Sequence, residues 1–303
     1  MQFKENHFKI LMNNNLFKEI TIIIILYEEK INLVLSCLEN IKDFKIIIID
    51  NAGNKNLKKK IEEKFKIYKY ILNSKNVGYS KAANQAIQLC SSEYILAIDA
   101  DGVMYVDDIN VLFESYKKYK DCLIVSPTCY DNKSRLTYTG VCLPEKKIEA
   151  KIINLEGDIC VDTIVTAAYL FKKKDFIEIG LFDENFFLYF SEFDICRRAI
   201  DRKKSIIQVF NSKAQHVHGQ IKVQNFLKKI FIRNFHFTFD ELYYFYKINK
   251  HHDIFNKLKK KIPNYLFKFL FNLILLKLSK SLYYFSKTLA YFKFKKFLYK
   301  IDY

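Results

Sequence analysis

Apolar positions along the first half of the chain change their period repeatedly. ITIIIIL (20–26) is a β-branched run of strand length, and KIIIID (45–50), YKYIL (68–72) and YILAID (94–99) are further short runs of strand length. Between them the apolar positions fall three and four apart. Ile31, Val34, Leu35, Leu38 and Ile41 share one helical face, and Ile109, Leu112, Phe113 and Tyr116 share another. A charged helix is predicted over 55–66 and a further one over SKAANQAIQLC (80–90). Strands that are apolar on both faces and alternate with helices predict a mostly parallel sheet covered on both sides, a doubly wound α/β domain.

Ligands of such sheets sit beyond the carboxyl ends of the strands, and polar residues gather there in this chain. Tyr27 and Glu28 follow the first strand, Asp50 and Asn51 the second, NVGYSKAAN (76–84) the third, and Asp99-Ala100-Asp101 the fourth. Gly78 lets the backbone turn or approach a ligand closely, and the helix that begins near Ser80 presents unpaired N–H groups suited to an anion. No G-x-G-x-x-G follows the first strand, and neither a P-loop nor a G-x-S-x-G elbow occurs.

With those phosphate cradles excluded, a metal ion is the expected phosphate holder. Asp99 and Asp101, two residues apart, point the same way in an extended chain and repel unless a cation lies between them. A hard divalent ion takes one or two carboxylates together with substrate phosphates. The competing structural role is a turn with Gly102 or a cap on the next helix.

Composition adds two constraints. The seven cysteines have no C-x-x-C pairing, and the segment MQFKENHFKILMNNN lacks the apolar core of a signal peptide, so a reducing cytosol is the expected setting. The net charge of +17 is unevenly placed: from residue 221 onward 18 Lys and Arg face 4 Asp and Glu, so +14 belongs to the tail. Within that tail, residues 264–300 mix Phe, Leu and Tyr with lysine every few positions, and no apolar stretch is long enough to span a bilayer. Two roles are open for it: a basic aromatic helix lying on an anionic membrane, or a helical extension packed on the α/β domain.

Taken together, TIIIILYEE, IIIIDNAG, NVGYSKAAN, ILAIDAD and GLFDENFFLYFSEFDICRRA (180–199) resemble the inverting glycosyltransferases of family 2, in the branch of bacterial rhamnosyltransferases and O-antigen or capsule glycosyltransferases. The resemblance spans residues 20 to about 220. It implies a GT-A fold over 1–220, with a nucleotide-binding half at about 20–101 and an acceptor half at about 102–220, followed by a basic helical region at 221–303. It also implies a nucleotide-diphosphate sugar donor and, as acceptor, a glycan or lipid-linked glycan of surface polysaccharide, capsule or lipopolysaccharide synthesis. The enzyme would be a hexosyl- or deoxyhexosyltransferase, peripheral on the inner face of the cytoplasmic membrane, with no nucleic-acid partner.

By motif, the resemblance places Tyr27, Glu28 and Asp50 around the base and ribose. Asn76, Gly78, Lys81 and Asn84 fall beside the nucleotide, Asp99 on the ribose and Asp101 on the metal-bound diphosphate. Inverting transfer needs a carboxylate that takes the acceptor hydroxyl's proton, and a helix N-terminus keeps such a group ionised. The family's E-D-x-D reads Ser191-Glu192-Phe193-Asp194 here, which makes Glu192 the base and Asp194 the fallback. Arg197 and Arg198 are available to pair with either one. In AQHVHGQ (214–220) the family's H-x-x-G matches His216 and Gly219, with His218 on the same strand face; an imidazole ligand favours Mn²⁺ over Mg²⁺.

Two other functions compete. A non-catalytic protein of the same fold would bind membrane or nucleic acid through its basic tail, and a nucleotidyltransferase would release pyrophosphate from a nucleoside triphosphate. Joint retention of Asp99, Asp101 and Glu192 favours glycosyl transfer. Donor sugar, acceptor, linkage and oligomeric state depend on surfaces that no motif encodes.

Overall fold

The computed structural model describes residues 16–137, 142–146, 156–216 and 226–301. The first half follows the predicted alternation: β1 (Ile20–Leu26), α1 (Ile31–Glu39), β2 (Lys45–Asp50), α2 (Lys55–Glu62), β3 (Lys69–Leu72), α3 (Tyr79–Leu89), β4 (Tyr94–Ile98), β5 (Gly102–Val103) and α4 (Val106–Lys118). Next come β6 (Cys122–Tyr130), β7 (Ile159–Cys160), β8 (Ala168–Lys172), α5 (Lys173–Glu178), α6 (Ser191–Asp201) and β9 (Ser205–His216). Three long helices follow: α7 (Phe226–Lys247), α8 (His251–Ile274) and α9 (Leu278–Ile301).

Among the described residues the strands form one sheet in the order β3, β2, β1, β4, β8, β6, β9, β5, with β7 paired to β9. The β3, β2, β1, β4 half is parallel throughout. Its interior strands are buried on both faces, as the β-branched runs require: Ile22, Ile24, Ile46 and Ile48 join Val34 and Leu38 of α1, while Ile23, Ile47 and Ile49 are buried as well. β8 then pairs antiparallel with β4 and β6, and β6 returns parallel to β9.

Two compact units divide the chain. The sheet and its helices form the first. The second contains Val223–Tyr303 together with Gly78–Ser80 and Glu184–Ser191. Within it, Asp240 of α7 accepts hydrogen bonds from the backbone N–H groups of Leu188 (3.0 Å) and Tyr189 (2.9 Å), which ties the 184–191 segment to the helices. The three helices are held by an aromatic seam, with Phe255 against Tyr291, Phe269 against Phe285 and Phe239 against Phe294. No helix among the described residues is long and apolar enough to cross a membrane.

Candidate functional site

β4 ends at Ile98, and the chain then makes a tight turn. The Asp99 N–H donates to the Ala167 carbonyl (3.0 Å), and the Gly102 N–H donates to the Asp99 carbonyl (2.8 Å). Glycine is needed at 102 for close packing: a Cβ there would lie 3.0 Å from the Asp99 carbonyl and 3.2 Å from the Ala167 carbonyl. The turn delivers the chain into β5, whose Gly102 pairs with His216 at the end of β9. This pairing brings an imidazole to the two carboxylates. His216 Nε2 lies 3.1 Å from Asp101 Oδ1 and 3.7 Å from Asp99 Oδ2.

One ligand atom from each of Asp99, Asp101 and His216 falls within 4.8 Å of the others. An ion with ligands at about 2.1 Å spans roughly 3 Å between adjacent ligands and roughly 4 Å between opposed ones. The three groups therefore fit a divalent cation, and a donor set of two oxygens and one imidazole nitrogen suits Mn²⁺ as well as Mg²⁺. The electrostatics show the same need for positive charge. Withdrawal from solvent pushes the Asp99 carboxyl up to about 7, with His216 opposing and Asp101 adding to the rise. Burial works against the charged form of His216, but its hydrogen bond to Asp101 and the two carboxylates outweigh this and raise it above its ordinary value.

At the end of β1, Glu28 adopts a left-handed backbone (φ 61°) and turns the chain so that the Tyr27 N–H donates to the Glu29 carboxylate. Burial pushes the Glu29 carboxyl up to about 8, against the hydrogen bonds from backbone amides, and Asp50 and Asp101 add negative charge around it. The sequence motif points to Glu28 as the acid beside the nucleotide, whereas the Tyr27 N–H goes to its neighbour Glu29. The only local signal was that the two acids are adjacent.

Asp50 is fully buried and shapes the loop after β2. Its carboxylate accepts from the N–H groups of Ala52 (2.8 Å) and Asn54 (3.1 Å) and from the Tyr70 hydroxyl (3.2 Å). Asn54 in turn caps α2 by accepting from the Leu57 N–H (3.0 Å). Asn84 is also buried, and its amide clamps the Phe182 backbone, donating to the carbonyl (2.9 Å) and accepting from the N–H (3.1 Å). Lys81 is exposed and Asn76 half-buried. In the helical unit Gly78 has φ 86°, and a Cβ on it would come within 2.5 Å of the Phe187 carbonyl oxygen.

The two acids in the first turn of α6, Glu192 and Asp194, have different surroundings. Asp194 is buried and accepts from Arg198 through Nε (2.9 Å) and Nη2 (2.7 Å), while the same guanidinium donates to the carbonyls of Ile179 (2.6 Å) and Leu181 (2.7 Å). Asp194 therefore anchors the turn that precedes α6. Glu192 is half-buried in the first turn of the helix, and the arginine next in sequence, Arg197, pairs with Glu145 (2.5 Å) and Asp201 (3.1 Å). His218 lies outside the described residues.

The model of the family "Glycosyl transferase family 2" matches residues 21–179, which runs from β1 through the end of α5 and includes the Asp99–Asp101 turn. No curated protein matches the chain. Among solved structures, GalNAc-T7 with UDP, GalNAc and Mn²⁺ is similar with a TM-score of 0.55 and 16% identity, over 67% of this chain and 44% of that one. The mannosyltransferase PcManGT of Pyrobaculum calidifontis, in complex with GDP-Man and Mn²⁺, gives 0.48 and 11%, over 74% and 63%. TarS of S. aureus gives 0.48 and 12%, over 71% and 39%. The chain thus spans less than two thirds of the length of each. The likeness to GalNAc-T7 agrees with the mixed sheet described above, and the fold is GT-A.

Proposed function

Because the chain belongs to glycosyl transferase family 2, we propose that it is a divalent-metal-dependent inverting glycosyltransferase. It moves one hexosyl or deoxyhexosyl unit from a nucleotide-diphosphate sugar to a hydroxyl of a surface-glycan or lipid-linked glycan acceptor. The observation that carries this reading is the convergence of Asp99, Asp101 and His216 within 4.8 Å at the end of the parallel strands. Asp99, Asp101 and His216 are the residues that would hold the metal. When bound, the ion supplies positive charge opposite the diphosphate of the donor.

The chain's own residues supply the remainder. Tyr27, Glu28 and Glu29 line the base and ribose, with Asp50 holding the loop beside them, and Asn76 and Lys81 lie along the nucleotide. Glu192 accepts the proton of the acceptor hydroxyl as that oxygen forms its bond to the anomeric carbon. The bond from the anomeric carbon to the diphosphate oxygen breaks on the opposite face, and the electron pair leaves with the nucleoside diphosphate. Glu192 suits the task because the α6 N-terminus favours its ionised form and Arg198 is already committed to Asp194.

The direct test incubates the full chain with a panel of nucleotide-diphosphate sugars, with and without Mn²⁺ or Mg²⁺. The expected result is metal-dependent release of nucleoside diphosphate from one donor. Release of pyrophosphate from a nucleoside triphosphate would identify nucleotidyl transfer instead, and absence of binding to any donor would leave a non-catalytic fold.

A further inference from the structure

The helices α8 and α9 form an antiparallel hairpin. Phe255 meets Tyr291 (4.9 Å), Tyr265 meets Tyr284 (5.5 Å) and Phe269 meets Phe285 (5.2 Å), so one helix descends in number as the other rises. Residues 275–277 join them, and the Ser281 hydroxyl donates to the Phe269 carbonyl (3.0 Å) just inside the tip. A soluble hairpin would keep its seam apolar and its outer face polar. This one inverts the rule near its tip. Phe267, Leu270, Phe271, Ile274, Leu276 and Leu278 are all exposed, with Ile274 at 79% and Leu276 at 81%. The N-terminal half of α8 behaves normally, presenting Lys257, Lys259, Lys260 and Lys261 on the same helix.

Backbone geometry at the tip sharpens the point. α8 closes in a Schellman motif: the Lys277 N–H donates to the Asn272 carbonyl (2.8 Å) and the Leu276 N–H to the Leu273 carbonyl (3.0 Å). The residue between the two helices in this motif takes a left-handed backbone, normally glycine or asparagine. Here it is Leu276, with φ 54°. A large apolar side chain is held in a strained conformation and pointed at solvent, which serves the fold less well than glycine would.

We propose that this tip is a docking surface for the bilayer of an anionic phospholipid membrane. Charge selects the partner. Between Asp253 and Asp302 the sequence contains no acidic residue, and Lys268, Lys277 and Lys280 flank the apolar tip. A second copy of the chain docked tip to tip would bring two strongly cationic hairpins together, whereas an anionic bilayer offers opposite charge to the lysines and hydrocarbon to the tip. Depth fits as well. From Phe267 to Leu276 the helix advances about 14 Å, too little to cross a hydrocarbon layer of about 30 Å but suited to insertion into one leaflet.

The full chain contains no tryptophan, so Ile274→Trp introduces a single reporter at the tip and Lys257→Trp one on the basic half. With phosphatidylcholine vesicles containing phosphatidylglycerol, the Ile274→Trp emission shifts to the blue and is quenched by brominated lipid, while that of Lys257→Trp is not quenched. Vesicles of phosphatidylcholine alone bind more weakly. In a flotation assay Leu276→Gly, which relieves the left-handed strain, loses about tenfold or more in vesicle affinity while melting no lower than the wild type. Unchanged flotation of Leu276→Gly and of Ile274→Ser would overturn the proposal. So would concentration-dependent dimerisation, abolished by Ile274→Ser, in a chain that ignores vesicles.

Discussion

His216 Nε2 stands 3.1 Å from Asp101 Oδ1 although 115 residues separate them in sequence. The contact exists because Gly102 and His216 are partners in the β5–β9 ladder, so backbone pairing fixes both ends of the cluster.

If the cluster holds the ion, Asp101→Asn and His216→Ala should each weaken Mn²⁺ binding by about tenfold or more, since each removes a ligand. Titration of Mn²⁺ followed by electron paramagnetic resonance measures it. Gly102→Val should resemble the ligand variants, because its side chain has no room beside the Asp99 and Ala167 carbonyls.

The two acids of the first turn of α6 should fail in different ways. Glu192→Gln is expected to lower donor turnover by about a hundredfold with its melting temperature unchanged; near-normal turnover would reject Glu192 as the base. Asp194→Ala should instead lose stability, by about 1.5–3 kcal/mol, because it removes the carboxylate that pairs with the half-buried Arg198 guanidinium and leaves that group only the Ile179 and Leu181 carbonyls. Denaturant unfolding separates the two effects.

Glu29 should impose a pH dependence on stability. Its carboxyl titrates near 8 in the fold and near 4.5 when unfolded, so between those values the folded chain keeps a proton that the unfolded chain has released. Its contribution is fully present below about 4.5 and is lost as pH rises through about 8. Glu29→Gln should remove that part of the decline, seen as a smaller fall in melting temperature over the same pH window.

Two glycines offer a matched comparison. Gly78→Ala places a Cβ 2.5 Å from the Phe187 carbonyl oxygen at φ 86° and should destabilise the helical unit by about 1–3 kcal/mol or more. Gly157→Ala meets nothing within 4 Å and should be close to neutral. Equal melting temperatures for the two variants would contradict the packing described at Gly78.

Local signals carried a large part of this protein. Four apolar runs identified β1 to β4 almost to the residue, most directly β1 and β2, where burial on both faces needs a continuous β-branched segment, and the Asp99–Asp101 step stood out because two carboxylates end such a run. What depended on distant partners was not legible. Nothing near Asn84 shows that its amide clamps Phe182, and nothing near Arg198 shows that its guanidinium also holds the carbonyls of Ile179 and Leu181. The burial of Glu29 depends on neighbours supplied by other strands. The tail shows the same division: lysine and aromatic spacing predicted helices, but periodicity does not say which apolar side finds a partner. Only packing α8 against α9 decided that the seam is covered and Ile274 and Leu276 are left in water, since burial is a property of the assembled surface rather than of the chain order.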